Sequence, residues 1–272
     1  MRAAFVTTLS DNFLPGFLAS TSSLLKTTPN FNYDIVIIEL NPLSETSKNN
    51  ILKLYPKVVF KSINLDDYPK TEYDRKYRVW DYNCGLRFDI FLLEEYDKII
   101  FYDCDIIFNI DMRPLLAKKA VFGAVARPAT RMLQFNGKKG FSAGLLLINK
   151  KFLNKKTRSS LIKLLKQPPP YDERITSKKW IGNEPLLNNF FKNKVTFLPK
   201  KYNFCIDEID EKTFKQTLPN LHFIGHKKPW HSRNLTNQFD PYIEDTFITR
   251  FGKAYTYVLL RKLSKLFYNA YP

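Results

Sequence analysis

Residues 99–108 constrain the fold most strongly, because two carboxylates stand one residue apart inside an otherwise apolar run. The Ile and Phe residues of this run predict a buried strand of a largely parallel sheet. Buried carboxylates are costly unless they are paired, hydrogen-bonded or bound to a metal. We therefore expect the strand to end at Asp103. Asp103 and Asp105 would then leave the core together at the carboxyl edge of the sheet, where α/β proteins bind ligands.

The two aspartates predict a divalent-cation site that holds a phosphate-bearing ligand. The alternative is an ordinary surface turn, since so short a motif also arises by chance. The apolar flanks favour the cation site, because a solvated turn has no need of them.

The composition predicts a globular protein rather than a disordered one, with 44% apolar and 15% aromatic residues among 272. That length suits one large domain or two small ones. The 3 cysteines have no metal-ligand spacing, so we expect free, mostly buried thiols in a reducing compartment. No apolar run is long enough to span a membrane, and the N-terminus turns polar too soon for a secretory signal. These features predict a cytoplasmic location.

The formal net charge of +17 favours an anionic partner. Nucleic acid, an anionic membrane surface and a phosphorylated small molecule are the candidates. A lysine-rich solvated surface is the alternative, because the lysines are spread along the whole chain.

Strand and helix patterns alternate along the chain, which predicts a doubly wound α/β fold around a parallel sheet. Strands are predicted at 3–9, 34–39, 57–60, 98–102, 120–126, 141–149 and 195–198. Helices are predicted from Pro15 to about Leu25 and over 44–55, 82–96 and 150–166. A further helix is predicted to begin within 181–188, with Pro185 near its first turn. The first strand is followed by neither Gly-x-Gly-x-x-Gly nor a Walker A sequence, which argues against a dinucleotide site.

The C-terminal segment has a different pattern, that of a basic amphipathic helix with apolar residues three to four apart over 253–267. We therefore divide the chain into a domain at 1–250 and a helix at 251–272. The helix would pack on the domain or on a second copy of the chain. Peripheral docking on an anionic membrane is the alternative.

A third metal ligand is predicted at His222, and a phosphate-binding cation at Lys228. Two carboxylates, one imidazole and phosphate oxygens suit octahedral Mn²⁺ or Mg²⁺. A lysine ammonium is a compact point charge for phosphate. A single histidine near a strand end can also be structural, so this alternative stays open.

Five blocks of this sequence, in order, resemble the family 8 retaining glycosyltransferases, which include glycogenin and bacterial lipopolysaccharide galactosyltransferases. They are A-F-V-T at 4–7, Y-D-C-D at 102–105, F-S-A-G at 141–144, N-E-P-L-L-N at 183–188 and H-F-I-G-H-K-K-P-W at 222–230. Arg87 also falls at the family's Arg/Lys position before the two aspartates. The resemblance covers most of residues 1–232. It implies a GT-A fold, a Rossmann-like, doubly wound and mainly parallel sheet in a single domain. It also implies Mn²⁺ (or Mg²⁺), a UDP-sugar donor, and hexose transfer with retention to a glycan, lipid-linked or protein acceptor.

The resemblance also implies roles for individual residues. The metal ligands would be Asp103, Asp105 and His222. The donor would be bound by Thr7, Thr8, Asp11, Arg87, Asp103, Cys104, Ser142, Gly225 and Lys228. The catalytic set would be Arg87, Asn183 and Glu184.

Two positions depart from the family pattern, which commonly has Asn at Ser142 and Asp-Gln at Asn183-Glu184. The carboxylate of Glu184 would act as a nucleophile beneath the sugar or bind a sugar hydroxyl. The departures also leave open a catalytically degenerate transferase that only binds its ligand.

Two further alternatives follow from the charge and the fold. A basic nucleic-acid-binding protein would carry a recognised fold signature, and none is present, so no nucleic-acid partner is expected. A sugar-nucleotide pyrophosphorylase would carry a glycine-rich phosphate loop after the first strand, and residues 7–13 contain none. Homo-oligomerisation stays open.

Overall fold

A seven-stranded mixed sheet forms the centre of the fold. The computed structural model describes residues 1–68, 86–127, 139–166, 183–208, 218–224, 228 and 265. Its strands are Ala3–Leu9 (β1), Asp34–Glu39 (β2), Val58–Ser62 (β3), Lys98–Tyr102 (β4), Ile106–Ile107 (β5), Phe122–Ala126 (β6), Phe141–Asn149 (β7), Thr196–Leu198 (β8), Phe204–Cys205 (β9) and Leu221–His222 (β10). The order in the large sheet is β3-β2-β1-β4-β7-β6-β8. Every strand predicted from the sequence is present.

The first four strands of this sheet are parallel, whereas β7 runs antiparallel to both β4 and β6. Parallel pairing therefore dominates, which confirms the predicted mainly parallel sheet, and β7 is the antiparallel exception. A parallel crossover usually contains a helix, and no helical pattern separates β6 from β7 in the sequence.

Five α-helices flank the sheet among the described residues, at Leu14–Thr27 (α1), Glu45–Leu54 (α2), Arg113–Leu116 (α3), Lys155–Lys166 (α4) and Asn183–Phe191 (α5). Pro15 lies in the first turn of α1, as a proline at that position favours. Ser44 caps α2 by accepting a hydrogen bond from the Ser47 amide. These helices confirm the predicted alternation of strand and helix.

Two predicted helices differ from what the structure contains. A 3₁₀-helix at Leu86–Leu92 stands where an α-helix over 82–96 was predicted, of which residues 82–85 lie outside the described part. Apolar spacings of three and four do not separate a period of 3.6 from one of 3.0. The helix predicted over 150–166 begins at Lys155 instead, because the Asn154 side chain accepts the Thr157 amide as an N-cap.

The sheet separates two apolar cores, as in a doubly wound fold. Successive residues of β1 point to opposite faces, so Ala4 and Val6 join one core and Phe5 joins the other. Helices α4 and α5 cover the first core, and α1 and α2 cover the second. In the first core, the Phe122 and Phe191 rings stack with centroids 3.7 Å apart, which fastens α5 to β6.

A small second sheet, in the order β5-β10-β9, was not predicted and lies next to the two aspartates. In it, His222 pairs with Ile106 on one side and with Cys205 on the other. The Phe223 amide donates to the Asp105 carbonyl at 3.0 Å. Three distant parts of the chain therefore meet at the end of β4.

The C-terminal helix predicted at 251–272, and its boundary with the domain, lie outside the described residues except for Lys265, which is helical and exposed. Among the described residues, no helix is both long and apolar enough to cross a membrane.

Candidate functional site

Asp103, Asp105 and His222 converge at the carboxyl edge of the large sheet. Strand β4 ends at Tyr102, and the Asp103 amide then donates to the Gly144 carbonyl at 2.8 Å. Each of the three residues offers one ligand atom, and these atoms lie within 4.8 Å of one another. Asp105 Oδ1 lies 3.2 Å from His222 Nε2. The predicted metal-ligand set is therefore assembled as a cluster.

The residues present fit a divalent cation. Asp105 Oδ1 is buried and has no hydrogen-bond partner among the described residues, which is costly for a carboxylate unless a cation satisfies it. Ligands about 2.1 Å from an octahedral cation and at right angles to each other lie about 3 Å apart, close to the separation of Oδ1 from Nε2. Two carboxylates and an imidazole also match the chemistry of Mn²⁺ or Mg²⁺.

Gly144 leaves the room that this cluster needs. A Cβ at this position would lie 2.3 Å from His222 Cε1 and 3.1 Å from Asp103 Oδ2. No side chain fits there without moving the imidazole. The small residues at the start of β7 therefore admit a close approach.

Lys228 supplies a buried positive charge beside the cluster. Its Nζ lies 2.5 Å from Asp105 Oδ2 and donates to the Phe223 carbonyl at 2.9 Å. Burial raises the pKa of the Asp105 carboxyl, but Lys228 and His222 outweigh burial and hold that pKa below its ordinary value. Asp105 is therefore an ionised ligand at neutral pH.

The far side of the His222 ring contacts Asn203, which the sequence analysis did not identify. His222 Nδ1 lies 2.9 Å from Asn203 Oδ1, and Asn203 Nδ2 donates to Ser142 Oγ at 3.2 Å. The Gly144 amide donates to the same Ser142 oxygen at 3.3 Å. No local sequence signal marks Asn203, because its position beside the ring depends on the pairing of β9 with β10.

Arg87 lies next to Asp103. Its Nη2 lies 3.3 Å from Asp103 Oδ1, and its guanidinium stands 5.0 Å over the Phe101 ring. Arg87 Nε is buried without a hydrogen-bond partner among the described residues. Arg87 therefore orients one oxygen of Asp103 and leaves the other towards His222.

Glu184 has both carboxylate oxygens engaged. Arg127 Nε lies 2.7 Å from Oε1, and the Ala143 amide donates to Oε2 at 2.9 Å. Asn188 fastens the same helix to β7, since its side chain accepts the Phe141 amide at 2.8 Å and donates to the Phe141 carbonyl at 2.9 Å. Arg127 was also missed by the sequence analysis, because its contact with Glu184 joins distant segments.

The residues predicted near the nucleotide lie on or just after the neighbouring strand. Val6 pairs with Phe101, so Thr7 and Thr8 lie level with the end of β4. Asp11, farther along, is exposed and accepts hydrogen bonds from the Ser44 amide and hydroxyl at 3.3 Å.

Three other predicted positions contribute differently. The Cys104 side chain is buried among apolar residues, and burial raises the pKa of its thiol, with the charges of Asp105 and Asp103 adding to the rise. Cys104 therefore offers only its backbone to a ligand. Gly225 and the Asn183 side chain lie outside the described residues, although Asn183 begins α5.

Comparison with known proteins gives a consistent result. The family model described as "Glycosyl transferase family 8" matches residues 5–234, more than half of the chain. The glycosyltransferase GlyE of Streptococcus pneumoniae serotype 4 is 32% identical over 146 residues, which cover 49% of this chain and 34% of GlyE. The chain thus spans about a third of the length of that relative.

Solved structures confirm the GT-A fold. The apo structure of the WbbM bifunctional glycosyltransferase aligns with a TM-score of 0.65 and 20% identity, and covers 94% of this chain and 51% of WbbM. The galactosyltransferase LgtC, solved with donor and acceptor sugar analogues, aligns with a TM-score of 0.59 and 19% identity. That alignment covers 91% of this chain and 96% of LgtC.

Proposed function

The chain belongs to glycosyl transferase family 8, and from this premise we propose that it transfers a hexose from a UDP-sugar with the help of Mn²⁺ or Mg²⁺. The acceptor would be a glycan, a lipid-linked sugar or a protein, and the anomeric configuration would be retained. The observation that carries the proposal is the cluster of Asp103, Asp105 and His222, with its buried and unpartnered carboxylate oxygen.

Transfer requires stabilisation of the negative charge that develops on the leaving diphosphate. The bound cation would supply Lewis-acid stabilisation there. Lys228 adds a fixed positive charge beside Asp105. Arg87 holds Asp103 Oδ1, so that Asp103 presents its other oxygen to the cluster. These residues therefore prepare a positive environment for a diphosphate at the carboxyl end of β4.

Glu184 is proposed to bind the sugar rather than attack it. Arg127 and the Ala143 amide occupy its two oxygens, which favours a fixed, ionised acceptor of hydrogen bonds. The sugar would become oxocarbenium-like as its bond to phosphate breaks. The leaving phosphate would then accept the proton of the incoming hydroxyl, so no side chain is needed as a base.

Calorimetric titration of UDP, with Mn²⁺ and with EDTA, tests this proposal. We expect binding that needs Mn²⁺ and is lost in Asp105→Ala. That variant leaves the Lys228 ammonium buried without its carboxylate, which is itself destabilising. Asp103→Asn is therefore measured as well, because Asp103 is more exposed and keeps its shape in the variant.

The matched control is Asp111→Asn. Asp111 is a partly exposed carboxylate that pairs with Arg113 at 2.7 Å, close in sequence to the cluster but not part of it. This variant should bind UDP as the wild type does. UDP binding that is unchanged by EDTA would contradict the metal site. Absence of UDP binding both with Mn²⁺ and with EDTA would contradict the UDP-sugar donor.

Hydrolysis of UDP-sugars is the second stage of the test. Slow release of UDP from one UDP-hexose, dependent on Mn²⁺, would support transfer and name the donor. If UDP binds in a metal-dependent way but no UDP is released from any UDP-sugar, even when acceptors are added, the catalytically degenerate alternative is favoured.

A further inference from the structure

We propose that Asn203 is a positioning residue that fixes the tautomer of His222. In this tautomer Nδ1 carries the proton, so that Nε2 faces Asp105 with a lone pair. The nature of the cation that would use this lone pair rests on the proposed function. The tautomer itself is a property of the metal-free chain and is tested separately.

The backbone brings Asn203 to the ring. Asn203 directly precedes β9, and His222 on β10 pairs with Cys205 of that strand. Asn203 is only 2% exposed and His222 only 5%, so their contact of 2.9 Å is shielded from water. A shielded hydrogen bond is strong enough to select one of two nearly equivalent tautomers.

The oxygen end of the Asn203 amide faces the ring. Asn203 Nδ2 donates to Ser142 Oγ at 3.2 Å, and Oδ1 lies against His222 Nδ1. A carbonyl oxygen only accepts, so the proton of this hydrogen bond belongs to Nδ1. A neutral imidazole carries one ring proton, and Nε2 is then an acceptor.

On the other side of the ring, Nε2 lies 3.2 Å from Asp105 Oδ1, which has no hydrogen-bond partner among the described residues. A proton on Nε2 would face this carboxylate, so Asp105 and Asn203 compete for the single ring proton of a neutral imidazole. Two buried acceptor atoms in such a contact are favourable only with a cation between them, which is the state that the Asn203 contact prepares.

The contact also connects the metal ligand to Ser142. Ser142 Oγ accepts from both Asn203 Nδ2 and the Gly144 amide, which uses its two lone pairs. Its hydroxyl proton is left to donate to a third group. Asn203 therefore orders two side chains at once, one that would hold the cation and one that would face the donor.

The test compares Asn203→Ala with Asn203→Asp, which keeps the acceptor oxygen. The tautomer of His222 is read from its ¹⁵N chemical shifts in metal-free protein at about pH 8.5, where an ordinary imidazole is neutral. His222→Gln assigns the signal among the 3 histidines. Mn²⁺ affinity is measured without nucleotide, by electron paramagnetic resonance.

We expect the wild type and Asn203→Asp to carry the proton on Nδ1, and Asn203→Ala to show a mixture of tautomers. Loss of such a partner of a metal-bound histidine typically weakens metal binding by about 10–100-fold, which is the loss expected for Asn203→Ala. Asn203→Asp should stay closer to the wild-type affinity, because its carboxylate still accepts from Nδ1.

Asn220→Ala is the matched control for general loss of stability. Asn220 is a fully buried asparagine whose side chain accepts from the Asn109 amide and donates to the Tyr202 carbonyl. This variant should lower Tm without changing the His222 tautomer or the Mn²⁺ affinity. A merely structural role for Asn203 would make its alanine variant behave in the same way.

A wild-type proton on Nε2, or an unchanged tautomer and affinity in Asn203→Ala, would overturn the inference. A wild-type protein that binds no Mn²⁺ but carries the proton on Nδ1, and loses this preference in Asn203→Ala, would contradict the proposed metal site. It would still support the positioning role of Asn203.

Discussion

Both carboxylate oxygens of Glu184 are committed to neighbours, and this limits what the side chain can do. A nucleophile needs an oxygen that is able to approach the sugar, whereas a hydrogen-bond acceptor can share its lone pairs among several donors. The contacts with Arg127 and the Ala143 amide therefore favour binding over attack.

The variant Glu184→Gln separates the two roles. If Glu184 only binds, the change removes one charge-assisted hydrogen bond, worth about 1.5–3 kcal/mol, so kcat/KM should fall by roughly 10–150-fold. Loss of a catalytic nucleophile lowers kcat by about 10⁴-fold or more. Steady-state release of UDP measures the difference, and a fall of the larger size would contradict the binding role.

Cys104 stands between the two acidic ligands in sequence, yet its thiol points away from them. Burial raises the pKa of this thiol, with Asp105 and Asp103 contributing, so it stays protonated and poorly nucleophilic. We expect no alkylation of Cys104 by iodoacetamide in the native protein and full alkylation in urea. Mass spectrometry of the digested protein locates the label.

The control for this prediction is Cys104→Ala, which should keep Mn²⁺-dependent UDP binding because the thiol is not a ligand. Rapid alkylation of the native thiol, or loss of metal binding in this variant, would show that Cys104 faces the site.

Strand β7 contributes to the site a residue that has no side chain. Gly144 faces the imidazole where a Cβ would overlap it, at 2.3 Å from His222 Cε1. We predict that Gly144→Ala displaces His222 and abolishes Mn²⁺-dependent UDP binding while the fold is retained. Isothermal titration calorimetry measures the binding, and circular dichroism checks the fold.

Gly123→Ala is the matched control on the neighbouring strand. A Cβ there would lie 3.0 Å from Leu198 Cδ2, so it also crowds the core, but far from the ligands in the fold. This variant should lose stability and keep binding. Equal loss of binding in both variants would mean that general overpacking, rather than the displaced imidazole, explains the Gly144 result.

Helix α4 is joined to the 3₁₀-helix by a buried ion pair. Arg158 Nε lies 2.6 Å from Asp89 Oδ1, and the Tyr68 hydroxyl donates to the same oxygen at 2.6 Å. We predict that Arg158→Met lowers the free energy of unfolding by about 3–5 kcal/mol, because it leaves Asp89 buried without its cation. Urea denaturation measures this change.

Lys163→Met on the same helix is the control, since Lys163 is exposed. It should change the free energy of unfolding by less than about 0.5 kcal/mol. Similar losses of unfolding free energy in the two variants would show that the ion pair contributes no more to stability than an exposed lysine does.

At the scale of the whole molecule, the ligand set joins segments that are far apart in sequence, so ligand binding should stabilise the entire fold. We predict that Mn²⁺ and UDP together at about a hundredfold excess over Kd add about 2.7 kcal/mol to the free energy of unfolding. For a chain of this size, this corresponds to a rise in Tm of roughly 5–10 °C. Differential scanning fluorimetry measures it.

The rise in Tm should disappear with EDTA and in Asp103→Asn, and it should persist in Asp111→Asn. A rise of the same size in EDTA would show that the stabilisation comes from the basic surface and not from the metal site.

Much of the fold followed from local pattern. Apolar runs predicted the strands of the large sheet, and Pro15 predicted the start of α1, because these signals act over a few residues. The 3₁₀-helix at Leu86–Leu92 and the antiparallel direction of β7 were not predicted. The direction of a strand depends on its partners, which no local pattern contains.

The candidate cation ligands could be identified from residue type and order alone, since Asp103 and Asp105 interrupt an apolar run and His222 heads a motif shared with a known family. The neighbours that orient these residues became known from the folded structure. Asn203 reaches His222, Arg127 reaches Glu184, and Gly144 leaves space for the ring through pairings between distant segments. Ligand chemistry depends on residue type, which a sequence states directly. Orientation depends on packing across the whole chain, which only the folded structure contains.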